Sequence, residues 1–276
     1  MSLSILKLPD ANVVAANTRA VFNLPIGYTY HQLILTMGGT TFDKTHLSNM
    51  RLKMNGTVEQ ELGSGSHRET MNLFNKKSAV TNSQLVIDFE RPGVHYPESR
   101  NLTVIGTGFK PSADQAKKQM MELNTLQLEV DIGAATAPTL ELHAVVSAPQ
   151  PLGVVKRIVS NSYSIPAGSF QIQDLPRSSS KYGQLDKIVI AHANVTSAEI
   201  RVDREVMQEL TPNRLSLVQA DGVRAAQAGH MIWDSTQEGF GAQTIPLENA
   251  QEFRIDLESS GADTITVYAE YLGTLR

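Results

Sequence analysis

Apolar and polar positions alternate with a period of two along much of the chain. In Met50-Arg51-Leu52-Lys53-Met54 the hydrophobic side chains fall on one face and the charges on the other, as a half-buried β-strand requires. β-branched and aliphatic stretches predict further strands over residues 13–24, 31–37, 84–90 and 102–105. Pro25-Ile26-Gly27 is turn chemistry, Gly63-Ser64-Gly65-Ser66 reads as a flexible loop, and Pro92, Gly93 and Pro97 make residues 91–100 a long irregular connection. Residues 1–9 are short and apolar with no clear period. They are expected to form a terminal strand completing its own sheet, the alternative being an arm laid on a neighbour. Ser112 and Gln115 have capping-box spacing, and Ala113, Ala116, Met120 and Leu123 recur at helical intervals, which predicts a helix over residues 113–123. A weaker helical pattern over residues 214–233 is interrupted by Gly222 and Gly229.

The pattern recurs. Leu52-Lys53-Met54-Asn55-Gly56-Thr57-Val58-Glu59-Gln60-Glu61-Leu62 returns as Ile200-Arg201-Val202-Asp203-Arg204-Glu205-Val206-Met207-Gln208-Glu209-Leu210. Two further matches follow in the same chain order. Ala20-Val21-Phe22-Asn23-Leu24-Pro25 parallels Gln171-Ile172-Gln173-Asp174-Leu175-Pro176, each leading to an aliphatic run, Leu33-Ile34-Leu35 and Ile188-Val189-Ile190. Leu128-Glu129-Val130-Asp131-Ile132 parallels Phe253-Arg254-Ile255-Asp256-Leu257, each followed, after a turn of the same length, by a last strand that aligns His143 with Tyr268. A tandem duplication of one β unit accounts for all three. The second copy is shorter between the last two matches, so the first copy's extra length is expected in loops.

Many short strands punctuated by Gly, Pro and Asn, with few helices, indicate an all-β protein. Two eight-stranded antiparallel sandwiches, a tandem double jelly roll, fit the length. Ala148-Pro149-Gln150-Pro151 sets the boundaries: residues 1–148 as the first roll, 149–153 as a linker and 154–276 as the second. Paired immunoglobulin-like sandwiches and a two-domain cupin explain less, because neither places a helix before the last strand pair.

Composition narrows the chemistry. A net charge of −4 offers no global attraction to a nucleic-acid backbone, and with no cysteine there is no disulfide framework, thiolate nucleophile or cysteine metal site. The start lacks signal-peptide character and no apolar run is long enough to span a bilayer, so synthesis in a cytoplasm is expected. The seven histidines, His31, His46, His67, His95, His143, His192 and His230, show neither His-x-His nor His-x-x-x-His spacing. A histidine exchanged for tyrosine across a duplication, as at His143 and Tyr268, reads as a packing or rim residue. Gly106-Thr107-Gly108-Phe109-Lys110-Pro111 begins like a dinucleotide fingerprint but has proline where the third glycine belongs. Ser64 and Ser66 lack the order of a nucleophile elbow, and Asp131 and Asp256 read as structural acceptors without a catalytic partner. Lys117 and Lys118 read as solvated, and Trp233, Met120 and Met121 as core. Asn55, Asn101 and Asn194 head glycosylation patterns that carry little weight without a signal peptide. No catalytic or cofactor-binding residue is assigned, and no enzyme activity is expected.

Leu24-Pro25-Ile26-Gly27-Tyr28-Thr29-Tyr30, Met54-Asn55-Gly56, Asp174-Leu175-Pro176-Arg177 and Ala269-Glu270-Tyr271-Leu272-Gly273, in this order and spacing, resemble the major capsid protein of the corticoviruses, icosahedral tailless marine phages with a membrane inside the shell. The resemblance runs the whole chain and is weakest over residues 63–110 and 218–243. It implies a double jelly roll assembling as a pseudo-hexagonal homotrimer that tiles an icosahedral shell, located in the virion. It also implies neighbouring trimers and minor capsid, vertex or membrane proteins as partners, and no direct nucleic-acid contact. Calcium between subunits is a further implication, with no ligand assignable. The runner-up reading is a phage spike or carbohydrate- or receptor-binding β protein, against which stands an aromatic content of 6% scattered along the chain. The single positive charge of residues 1–9, at Lys7, is too little for electrostatic attachment to a membrane.

Overall fold

A computed structural model describes residues 2–77, 81–114 and 118–275. Two compact units emerge, one of Met1–Asn72, Lys77–Arg91 and Asn101–Val155, the other of Leu73–Lys76, Pro92–Arg100 and Lys156–Arg276.

The first unit is built from β1 (Ser4–Lys7), β2 (Arg19–Leu24), β3 (Thr29–Gly38), β4 (Leu47–Met54), β5 (Thr57–Gly63), β6 (Gln84–Asp88), β7 (Ile105–Gly106), β8 (Phe109–Pro111), β9 (Gln119–Met121), β10 (Leu126–Ile132) and β11 (Thr139–Ser147). One sheet runs β1-β11-β3-β6 with β7 also on β3, the other runs β2-β10-β4-β5, and β8 pairs with β9. The strands of the second unit are β12 (Val155–Ile165), β13 (Gly168–Ile172), β14 (Gln184–Ala191), β15 (Val195–Val202), β16 (Glu205–Leu210), β17 (His230–Asp234), β18 (Ile245–Pro246), β19 (Phe253–Ser259) and β20 (Asp263–Gly273). Its sheets run β12-β20-β14-β17, with β18 on β14, and β13-β19-β15-β16. Strand for strand the order is the same in both units. Each is a jelly roll of two four-stranded sheets.

Alternation puts the core between the sheets. Along β3, Tyr30, Leu33, Leu35 and Met37 are buried, as are Met50, Leu52 and Met54 along β4. In the second unit Leu185, Ile188 and Ile190 of β14 meet Ile200, Phe253, Ile255 and Trp233 in one cluster.

The duplicated hairpin is reproduced in detail. Asn55 and Gly56 turn β4 into β5 with φ of 51° and 81°, and Asp203 and Arg204 turn β15 into β16 with φ of 48° and 73°. Two consecutive positive φ values define the hairpin turn that matches strand twist, which favours Asn-Gly or Asp-Gly. Arg204 occupies the glycine-type position. Both hairpins also carry the same bulge, the ladder slipping after Leu52 in one and after Ile200 in the other.

Elsewhere the structure corrects the sequence alignment. Leu126 faces Met54 and Phe253 faces Val202, so Phe253 corresponds to Leu126 and not to Leu128. Phe22 faces Leu128 and Ile172 faces Ile255, so Ile172 corresponds to Phe22 and not to Val21. The two turns before the last strands consequently differ in length, with β10 ending at Ile132 before Thr139 and β19 at Ser259 before Asp263. The match of Leu33-Ile34-Leu35 with Ile188-Val189-Ile190 stands, since Ile34 faces His143 and Val189 faces Tyr268.

No helix is described over residues 113–123: β9 occupies part of that span, and residues 115–117, with Lys117, lie outside those described. Of the described residues that suggested a helical stripe, Ala113 and Met120 are exposed and Leu123 is buried, so they do not share one buried face. The supposed Gly-Ser loop instead opens α1 (Gly65–Phe74), with the Ser64 hydroxyl accepting from His67 N at 3.1 Å. After α2 (Pro97–Arg100), residues 101–103 form a 3₁₀ turn where a strand was expected. The helical pattern after Thr211 shrinks to α3 (Pro212–Val218), capped by the Thr211 hydroxyl, and Trp233 lies in β17. Residues 13–18 precede β2 without forming strand. The first copy's extra length therefore holds the longer helix α1 and the β8–β9 hairpin as well as loops. Among the described residues no helix is long and apolar enough to cross a membrane.

Candidate assembly surfaces

His192 and His230 lie close enough to interact electrostatically, and His31 and His46 have separate partners. His31 bridges Glu90 (3.1 Å) and Ser147 (3.0 Å), His46 caps with Asp43 (2.9 Å), and Nδ1 of His192 accepts from Val195 N at 3.2 Å. Burial pushes the His192 imidazole below its usual range. His143 lies on β11 across from Ile34. Among the described residues no group of three or more His, Asp or Glu side chains is arranged to hold a metal ion.

The predicted acceptors sit in cross-strand ion pairs. Arg19 grips Asp131 through two bonds of 2.6 and 3.0 Å while Asn49 donates to the same carboxylate, and these hydrogen bonds hold Asp131 below the usual carboxylate range. Asp256 forms an ion pair with Arg201 across the strands at 3.0 Å and accepts from Arg254 on its own strand at 3.2 Å. In the corrected register Asp256 corresponds to Glu129, which takes Lys53 at 2.7 Å. The duplication thus preserves a cation on β4 or β15 reaching a carboxylate on β10 or β19.

Asn55 and Asp203 serve as matching caps. Asn55 Oδ1 accepts from the amides of Asn124 (2.7 Å) and Thr125 (3.3 Å), and Asp203 Oδ1 from those of Gln251 (2.8 Å) and Glu252 (2.9 Å). The fingerprint-like glycines serve packing: Gly108 N donates to Gln150 O at 2.7 Å, and a Cβ on Gly106 would fall on the Pro151 carbonyl. The proline-rich segment expected as a linker is therefore strapped to the first unit.

Sequence reading missed a buried charge network in the second unit. Lys187 lies 3.2 Å from Asp234, which is 1% exposed, and Arg224 is 3.5 Å from Asp234 and 2.7 Å from Asp221. The Thr236 hydroxyl lies between Asp234 Oδ1 (2.7 Å) and the Pro92 carbonyl (3.0 Å), and also receives the Arg224 guanidinium. Burial alone would raise Asp234, but Lys187 and Arg224 outweigh it and draw the group down to about 2. The detectable signal was Asp186-Lys187 inside an otherwise aliphatic strand. Near this network Phe240 stands 6.0 Å from His95 and 6.1 Å from Tyr96, gathering aromatics that are far apart in sequence.

Exposed apolar side chains mark the remaining surface: Leu3 and Ile5 at β1, Phe109 and Met120 on the β8–β9 hairpin, Val206 and Met207 on β16, and Leu217 beyond the core face of α3. Trp233, by contrast, is core. Exposed apolar side chains on edge strands such as β1 and β16 suit contact with another protein surface.

Comparison with known proteins agrees. The family model of the viral coat protein P2 N-terminal domain matches residues 5–147, and that of the C-terminal domain matches residues 155–275. The structure is similar to the crystal structure of the major capsid protein P2 from bacteriophage PM2, with a TM-score of 0.86 at 21% identity over 100% of this chain and 98% of that one. It is also similar to the STIV major capsid protein (TM-score 0.68, 11% identity, 99% and 97% covered) and to the PBCV-1 virus capsid (0.64, 9%, 98% and 93%). Among curated protein sequences no match reaches significance.

Proposed function

The chain belongs to the viral coat protein P2 family, and from that premise we propose that it is the major capsid subunit of an icosahedral phage shell built around an internal membrane, with a pseudo-hexagonal homotrimer as its tile. The observation that carries this reading is the identical strand order of the two units, down to the shared bulge after Leu52 and Ile200. Three copies of a chain with two similar lobes around one threefold axis present six similar lobes, which tile as a hexamer would, while divergent loops let the two lobes make different neighbour contacts. The work of such a protein is burial of its sides against its own kind, many modest contacts summing to a stable shell.

Its partners are then further trimers and the minor, vertex or membrane proteins of the virion, and its synthesis takes place in the host bacterium's cytoplasm. Calcium between subunits belongs to the same proposal, with oxygen donors drawn from more than one copy. Negative-stain images of the purified protein test the reading. Flat particles with six-lobed outlines support it, and single two-lobed particles overturn it.

A further inference from the structure

Duplication makes each copy a control for the other, and at two strands the copies differ in the same way. β12 holds the place in its sheet that β1 holds in the first unit, yet Val155, Lys156, Arg157 and Ile158 are buried whereas β1 is open, with Ile5 68% exposed. β5 and β16 are equivalent hairpin strands. Glu59 and Gln60 of β5 are 6% and 2% exposed, whereas Met207, in place of Glu59, is 37% exposed, Gln208, in place of Gln60, is half-buried, and Val206 beside them is 42% exposed. A glutamate is covered where its equivalent methionine is bare, the reverse of what side-chain hydrophobicity dictates for a free surface.

Both bare strands are sheet edges. Among the described residues β1 pairs only with β11 and β16 only with β15, so each offers backbone donors and acceptors to an incoming strand. We propose that β1 of one copy docks along β16 of the next, setting Ile5 beside Met207 on one face of the joined sheet and Lys7 beside one of the carboxylates, Glu205 or Glu209, that share that face. The two surfaces are different patches, so the contact is heterologous. Repeated around a threefold axis it closes a ring with no β1 or β16 edge left open. The inference rests on the homotrimer reading and names the surfaces that would join it.

Because the chain has no cysteine, disulfide trapping tests the contact without background. Ile5→Cys is combined in turn with Val206→Cys, Met207→Cys and Gln208→Cys to cover the register, and the full-length proteins are oxidised and run on denaturing gels. At least one pair is expected to give a covalent species of three chains, with neither member linking in that way alone. Native mass measured on the unoxidised variants separates the outcomes. Trimers that none of the pairs link overturn the β1–β16 joint and leave the trimer intact, whereas a monomeric wild-type protein overturns both. Amide exchange on the wild-type trimer gives a second reading: protected β1 and β16 amides are expected, and exchange as fast as in the loops counts against the joint.

Discussion

Replacing the turn caps Asn55 and Asp203 tests the duplication at the level of single hydrogen bonds. Each side chain accepts two backbone amides, at 2.7 and 3.3 Å for Asn55 and at 2.8 and 2.9 Å for Asp203, Asn55 Nδ2 also donates to the Glu122 carbonyl at 2.8 Å, a bond both Asn55 variants lose, and each residue holds a positive φ near 50°. A net hydrogen bond contributes about 0.5–1.5 kcal/mol, and solvent can replace part of it at these exposed turns, so losing both acceptor contacts costs about 1–2 kcal/mol. Alanine must also enter the left-handed region, at about 1–2 kcal/mol more. Asn55→Ala and Asp203→Ala should therefore each destabilise by about 2–4 kcal/mol, whereas the glycine variants lose only the caps and cost about 1–2 kcal/mol. At roughly 2–4 °C per kcal/mol for a chain of this size, calorimetry resolves the difference. All variants must be compared at one protein concentration, because assembly itself adds stability. Alanine and glycine variants of equal stability would refute the backbone part of the argument, and a large loss at one site with none at the other would refute the equivalence of the two turns.

Other predictions follow from packing and charge. Asp234 has a folded value of about 2, below its unfolded one, so its contribution is full above about pH 4 and is lost as pH falls through about 2; urea midpoints across that window should decline, and Asp234→Asn should flatten the slope. At neutral pH the same variant leaves Lys187 and Arg224 under-compensated and should cost about 3–5 kcal/mol, measured by the same titration. Leu52→Ala and Ile200→Ala empty equivalent, fully buried sites and should each cost about 2–5 kcal/mol in chemical denaturation. Gly106→Ala drives a methyl group into the Pro151 carbonyl and should cost about 1–3 kcal/mol, with faster amide exchange at Gly108, whose N–H bonds Gln150.

How much of this was legible in the sequence depended on what each residue had to do. The hairpin could be aligned residue for residue because its turn demands positive φ at two fixed positions, and Asn55-Gly56 and Asp203 carry that demand in their chemistry. The strand matched two residues out, Leu128 for Leu126, escaped notice because a shift of two leaves every side chain on its own face. The one-residue error between β2 and β13 was detectable in principle, since it sets buried Phe22 against exposed Gln173. α1 was hidden by glycines flanking its cap, and the expected helix near Met120 gives way, among the described residues, to β9. The aromatic group of His95, Tyr96 and Phe240, like the Lys187–Asp234–Arg224 network, joins distant segments, and no local pattern announces such contacts.

The account turns on a subunit that functions only joined to its own copies. Sedimentation equilibrium at micromolar concentration and physiological salt measures that directly. The mass predicted is three times the 30.1 kDa of one chain, and a single-chain mass, unchanged on raising the concentration, would contradict it.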